Sequence, residues 1–102
     1  MRVQSWPYTN NAMTVESLRQ KYDPAAFRIA ERRYPRGTSF LARTRAVVWF
    51  VLAGSCKVTR DSDLLITAGQ VAEIEAGDLT MTVVGDSELH LVQVWDLRPF
   101  QN

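Results

Sequence analysis

Between residues 27 and 97, apolar and polar positions fall into short runs, each closed by Gly, Pro or Asp. The densest run is Ala46 to Gly54, AVVWFVLAG, which carries no charge. Read as a strand, it sends Val47, Trp49 and Val51 to one face and Val48, Phe50 and Leu52 to the other. Both faces are apolar, so the pattern predicts a central strand covered on both sides. The β-branched and aromatic bias and the stop at Gly54 favour a strand over a buried helix. The run is also too short to cross a membrane.

Around it the pattern predicts one helix and several strands. Residues 14–22, TVESLRQKY, place Val15, Leu18 and Tyr22 on one stripe. Asn11 or Thr14 can cap this helix, and Asp23-Pro24 ends it. Strands are expected at 27–34, 39–45 leading into the central strand, 56–60, 64–66, 70–74, 79–84 and 88–97. The turns between them hold Gly37, Gly54, Asp61, Gly69, Gly77 and Gly85. Gly85-Asp86-Ser87 reads as a hairpin turn. Residues 1–12 form an arm whose Trp6 and Tyr8 suggest docking onto the body. Short strands at such intervals indicate an all-β sandwich or barrel. The expected organisation is an arm and short helix over 1–26 and a β-domain over 27–102.

Composition narrows the class without naming a function. Of 102 residues, 46% are apolar and 23% charged, which is ordinary for one globular domain. Net charge is +1, but six arginines stand between residues 28 and 45 against Glu31 alone. From Ala46 onward, three basic residues face eight acidic ones. Such a bipolar chain can fold its halves together or present a basic surface or pocket. The single Cys56 cannot form an internal disulfide. No apolar leader or long apolar segment is present, so a cytoplasmic protein without membrane association is expected. The aromatics do not form an exposed platform beside the arginines, which argues against nucleic-acid binding. No Gly-rich phosphate loop is present.

The order of the turn signals resembles that of small single-domain cupins. Tyr34-Pro35-Arg36-Gly37-Thr38 is similar to their YPPGT turn, and Phe50-Val51-Leu52-Ala53-Gly54 to their YVLEG. Leu65-Ile66-Thr67-Ala68-Gly69-Gln70-Val71 and Ile74-Glu75-Ala76-Gly77 resemble their L-x-x-G-D-x-v and IPAG segments. The resemblance covers residues 27–97. It implies an all-β double-stranded β-helix, a jelly-roll barrel with an internal pocket. It also implies a metal held by two His and a Glu in a first motif and a His in a second. Counting back from Gly54, the first-motif positions fall on Leu41, Arg43 and Val47; counting on from Gly77, the second falls on Thr80. Counting from Gly37 shifts the first set and still meets no His or Glu. The one histidine, His90, lies in the last strand and reads as a structural imidazole. The expectation is a cupin without a metal or other cofactor.

The candidate ligand-binding residues are Arg43, Arg45, Trp49, Thr80 and Trp95. By parity with Val47, the first three share its inward face unless a bulge intervenes, and Thr80, Thr82 and Val84 point inward on their strand. Two guanidinium forks suit a carboxylate or phosphate, and indole supplies a flat wall. If Arg43 and Arg45 instead point to solvent, the pocket loses its anion site. The expected activity is binding or sensing of a small molecule, an organic anion by preference, without catalysis. The alternative is a metal-independent lyase or isomerase acting on a small organic acid. A homodimer is expected if Phe50 and Leu52, with Leu79, Met81 and Val83, form an apolar outer face.

Overall fold

The computed structural model describes residues 1–7 and 11–100. Tyr8 and Asn10 of the arm lie outside the described residues. In chain order the elements are β1 (Arg2–Ser5), α1 (Val15–Lys21), β2 (Phe27–Tyr34), β3 (Ser39–Thr44) and β4 (Val47–Ala53). They continue as β5 (Ser55–Thr59), β6 (Asp63–Thr67), β7 (Gln70–Ile74), β8 (Gly77–Val84) and β9 (Leu89–Asp96), with a 3-10 turn at Arg98–Phe100. The strands build two antiparallel sheets, one in the order β1-β7-β4-β9-β2 and the other in the order β3-β8-β5-β6.

β4 sits in the middle of the five-stranded sheet, where its two apolar faces are used. Val47, Trp49 and Val51 face the second sheet and meet Met81, Val58 and Ile66 in the main core. Phe50 lies in a second cluster with Leu18, Val71, Val92 and Val94, against which Val48 and Leu52 pack. α1 and the arm form a third layer over this outer face. Thr14 caps α1: its side chain accepts from the Ser17 N–H, and the Ser17 side chain accepts from the Thr14 N–H. Trp6 stands edge-on to Phe50 at 5.9 Å between ring centroids and donates its indole N–H to the Asn11 carbonyl at 2.8 Å.

Three expectations change. Residues 39–45 do not run straight into the central strand. The chain leaves the four-stranded sheet after Thr44 and enters the middle of the other sheet at Val47. Gly85-Asp86-Ser87 closes no hairpin, because β8 and β9 belong to different sheets. The turn carries the chain across the sandwich, so both strands can present an apolar face to one interior. The arm contributes a strand of its own, β1, paired with β7 from Arg2↔Glu73 to Ser5↔Gln70. Its alternation was too short to be distinguished from an irregular arm.

Candidate functional site

Where each candidate side chain points follows from the sheet that carries it. On β4 the parity argument holds, and Trp49 is 4% exposed inside the core, its indole N–H without a hydrogen-bond partner among the described residues. On β3 the crossing between sheets reverses it. Phe40 and Ala42 turn toward the core, while Arg43 lies on the outer face. On β8, Leu79, Met81 and Val83 are buried in the core, so Thr80, Thr82 and Val84 point outward. The inward reading of Arg43 and Thr80 is therefore corrected. So is the apolar outer face: Phe50 is covered by the helix layer, and Leu79, Met81 and Val83 are interior.

The arginines gather elsewhere. Where the chain crosses from β3 to β4, and β9 runs into the terminal turn, a cleft of about 810 Å3 opens at one end of the sandwich. Arg28, Arg43, Thr44, Arg45, Trp95 and Asp96 line it, with Leu97 and Pro99 beside them. Antiparallel pairing of β2 with β9 sets Arg28 directly opposite Trp95, and the guanidinium carbon lies 5.1 Å from the indole centroid. Pairing of β3 with β8 sets Arg43 opposite Asp78, and Arg43 Nε donates to Asp78 Oδ1 at 2.9 Å. Asp96 accepts from Arg98 through both oxygens, at 3.0 and 2.8 Å.

These pairs hold their carboxylates ionised. The hydrogen bond and charge of Arg43 keep the Asp78 carboxyl below the usual carboxylate range, and Arg98 does the same for Asp96. Arg28, Arg43 and Arg45 supply three guanidiniums to the cleft wall, and Asp96 is the one carboxylate among its described lining residues. Three of the five expected ligand-binding residues, Arg43, Arg45 and Trp95, thus share one cleft; Trp49 and Thr80 do not line it. Arg28, Thr44 and Asp96 are additions. Their role at the cleft rests on strand register, and no local signal in the sequence marks it.

The positions counted from Gly54 and Gly77 for the family's metal ligands do not converge on a binding geometry. Leu41 is 75% exposed on the outer face, Arg43 and Thr80 lie on that same face, and Val47 is in the core. None of the four offers an imidazole, thiolate or carboxylate, and the residues of β4 and β8 that do face the interior are Val47, Trp49, Val51, Leu79, Met81 and Val83, so the residues do not fit the family's metal. Among the described residues, no three His, Cys, Asp or Glu side chains come together to hold an ion. The acidic residues near Gly77 are spread over separate cations: Glu73 faces Arg2, Glu75 faces Arg60 and Asp78 faces Arg43. His90 Nε2 lies 2.6 Å from Glu31 Oε2, and Arg33 ties Glu31 to Glu88. Cys56 is fully buried, and burial pushes its thiol up to about 12, so it offers no thiolate at neutral pH.

Among the described residues, no helix is long and apolar enough to cross a membrane. No family profile matches the sequence, and no curated protein sequence matches it. Solved structures do. The EutQ protein of Clostridium difficile superposes with a TM-score of 0.61 at 13% identity, over 90% of this chain and 65% of that one. A predicted oxalate decarboxylase of Thermotoga maritima gives 0.59 at 20% identity, over 80% of this chain and 72% of the other. The cupin domain of Schizosaccharomyces pombe Cnp3 gives 0.60 at 14% identity, over 72% of this chain. The chain spans only 57% of that Cnp3 structure. At such identities the likeness is one of architecture, and by its superposition on cupin-domain structures this two-sheet chain has the cupin fold.

Proposed function

We propose that the protein is a metal-free cupin that binds a small organic anion without transforming it, at the end cleft and not between the sheets. The two sheets are read as the jelly roll of that fold. The observation that carries the proposal is the convergence of Arg28, Arg43 and Arg45 on a cleft walled by Trp95. Guanidinium forks engage carboxylates through paired hydrogen bonds, and an indole face suits the planar body of an aromatic acid. Among the described residues lining the cleft there is neither histidine nor cysteine, which favours binding over acid–base or nucleophilic chemistry. One fold neighbour is a predicted oxalate decarboxylase, so a small organic acid is compatible with this architecture.

The test is a titration of benzene dicarboxylates, benzoate and neutral benzamide against tryptophan emission. Dicarboxylates are expected to bind most tightly and benzamide not at all. Arg45→Ala and Arg28→Ala should each weaken binding about tenfold or more, the value of a charge-assisted hydrogen bond. Trp95→Phe should remove most of the emission change. Equal responses from wild type and an Arg43→Ala, Arg45→Ala variant would sink the proposal.

A further inference from the structure

The four-stranded sheet ends on one side at β3, and the backbone edge of that strand has no partner among the described residues. Unsatisfied strand edges invite pairing, and natural proteins block them with charge or proline. The neighbouring edge, β2 of the other sheet, carries Arg28, Arg32 and Arg33. β3 has no proline, and its single charge, Arg43, is matched by Asp78. Register shows which backbone groups face outward. The Val83 N–H donates to the Thr38 carbonyl at 2.8 Å across directly opposed positions. By alternation, Phe40, Ala42 and Thr44 spend their N–H and C=O groups on β8, whereas Ser39, Leu41 and Arg43 turn theirs to the open edge. Leu41 stands at the centre of that row. Its 75% exposure is the highest among the described large hydrophobic residues.

We propose that β3 pairs antiparallel with β3 of a second copy of this chain, about a two-fold axis at Leu41. The sequence of the strand, SFLART, is its own complement in that register. Leu41 opposes the partner's Leu41, which shields two exposed leucines. Ser39 opposes the partner's Arg43 on each side of the axis, setting a hydroxyl acceptor against a guanidinium. On the core side, Phe40 opposes the partner's Ala42, large against small. Moving the axis to Arg43 sets two guanidiniums together, and moving it to Phe40 crowds two phenyl rings. Three opposed pairs of outward residues add about six main-chain hydrogen bonds and join the two four-stranded sheets into one. This dimer does not rest on the anion-binding reading, although Arg43 borders both the seam and the cleft.

Sedimentation equilibrium of the full chain is expected to show a dimer at micromolar concentration. Leu41→Lys, at an exposed position, places two like charges on the axis and should leave a monomer with the circular dichroism of wild type. Leu41→Cys should be joined into a covalent dimer by a short bis-maleimide, because the two-fold axis sets the two thiols together while Cys56 is buried. Leu65→Cys, on β6 at the far edge of the same sheet and also exposed, should not be joined. A wild-type monomer at high micromolar concentration overturns the proposal. So does a dimer that survives Leu41→Lys, or equal cross-linking at the two positions.

Discussion

Gly54 shows how one residue holds the sandwich at a corner. It ends β4, where the chain leaves the five-stranded sheet for β5, and its φ is +79°. A Cβ at this position would lie 2.4 Å from the Glu88 carbonyl oxygen, a backbone atom immediately before β9. Gly69 has a similar φ of +88° with open space around it. The left-handed conformation alone costs a side chain about 1–2 kcal/mol. Gly69→Ala should therefore destabilise by about that much, and Gly54→Ala by about 2 kcal/mol more because the backbone must also part. Urea denaturation midpoints decide it. Equal losses would mean that the contact with Glu88 has no energetic weight.

At the scale of elements, α1 is the piece least able to stand alone. Seven residues are too few to persist as an isolated helix in water. It is held by its capping box and by Leu18, fully buried against Phe50, Val71, Val92 and Val94. Thr14→Ala should cost about 1 kcal/mol and Leu18→Ala about 2–5 kcal/mol, since the second leaves a cavity between helix and sheet. Chemical denaturation followed by tryptophan emission measures both. If Leu18→Ala costs no more than Thr14→Ala, the helix layer is not part of the cooperative unit. The layer also explains why β4 needs two apolar faces: one meets the second sheet and the other meets the helix and the arm.

At the scale of the molecule, the basic segment of residues 28–45 is partly balanced by carboxylates from the acidic second half of the chain. Asp78 and Asp96 are both held below their usual range, by Arg43 and Arg98. A carboxyl whose folded pKa is depressed contributes stability that is present above the unfolded value, near 3.9, and is lost as pH falls through the folded value. The melting temperature should thus decline on acidification below about pH 4, and the decline should be shallow because both groups are exposed and screened. Asp78→Asn should flatten part of it. The same protonation releases Arg43, so binding of an aromatic sulfonate, which stays ionised, should tighten as pH falls. Calorimetry across this range would refute the linkage if the sulfonate affinity were independent of pH.

The positions of most strands were legible from local pattern, because alternation and the glycines at turns act within a few residues. Phe27–Tyr34 and Gln70–Ile74 fall where the alternation placed them, and the apolar run at Ala46–Gly54 became the central strand. The parity of β8 was legible too: Leu79, Met81 and Val83 are its apolar set, and counting ligand positions from Gly77 obscured that plain signal. What the sequence could not decide was which sheet each strand joins. The side-chain period of two continues only while a strand remains in one sheet, and the crossing between Thr44 and Val47 resets it, turning Arg43 outward. Nor could it show that Arg28 meets Trp95, 67 positions away in sequence, since that contact exists only through the register of β2 on β9. Local alternation determined where the strands are; pairing between distant strands decided which faces and which charges meet, because hydrogen-bond register is a property of two segments at once.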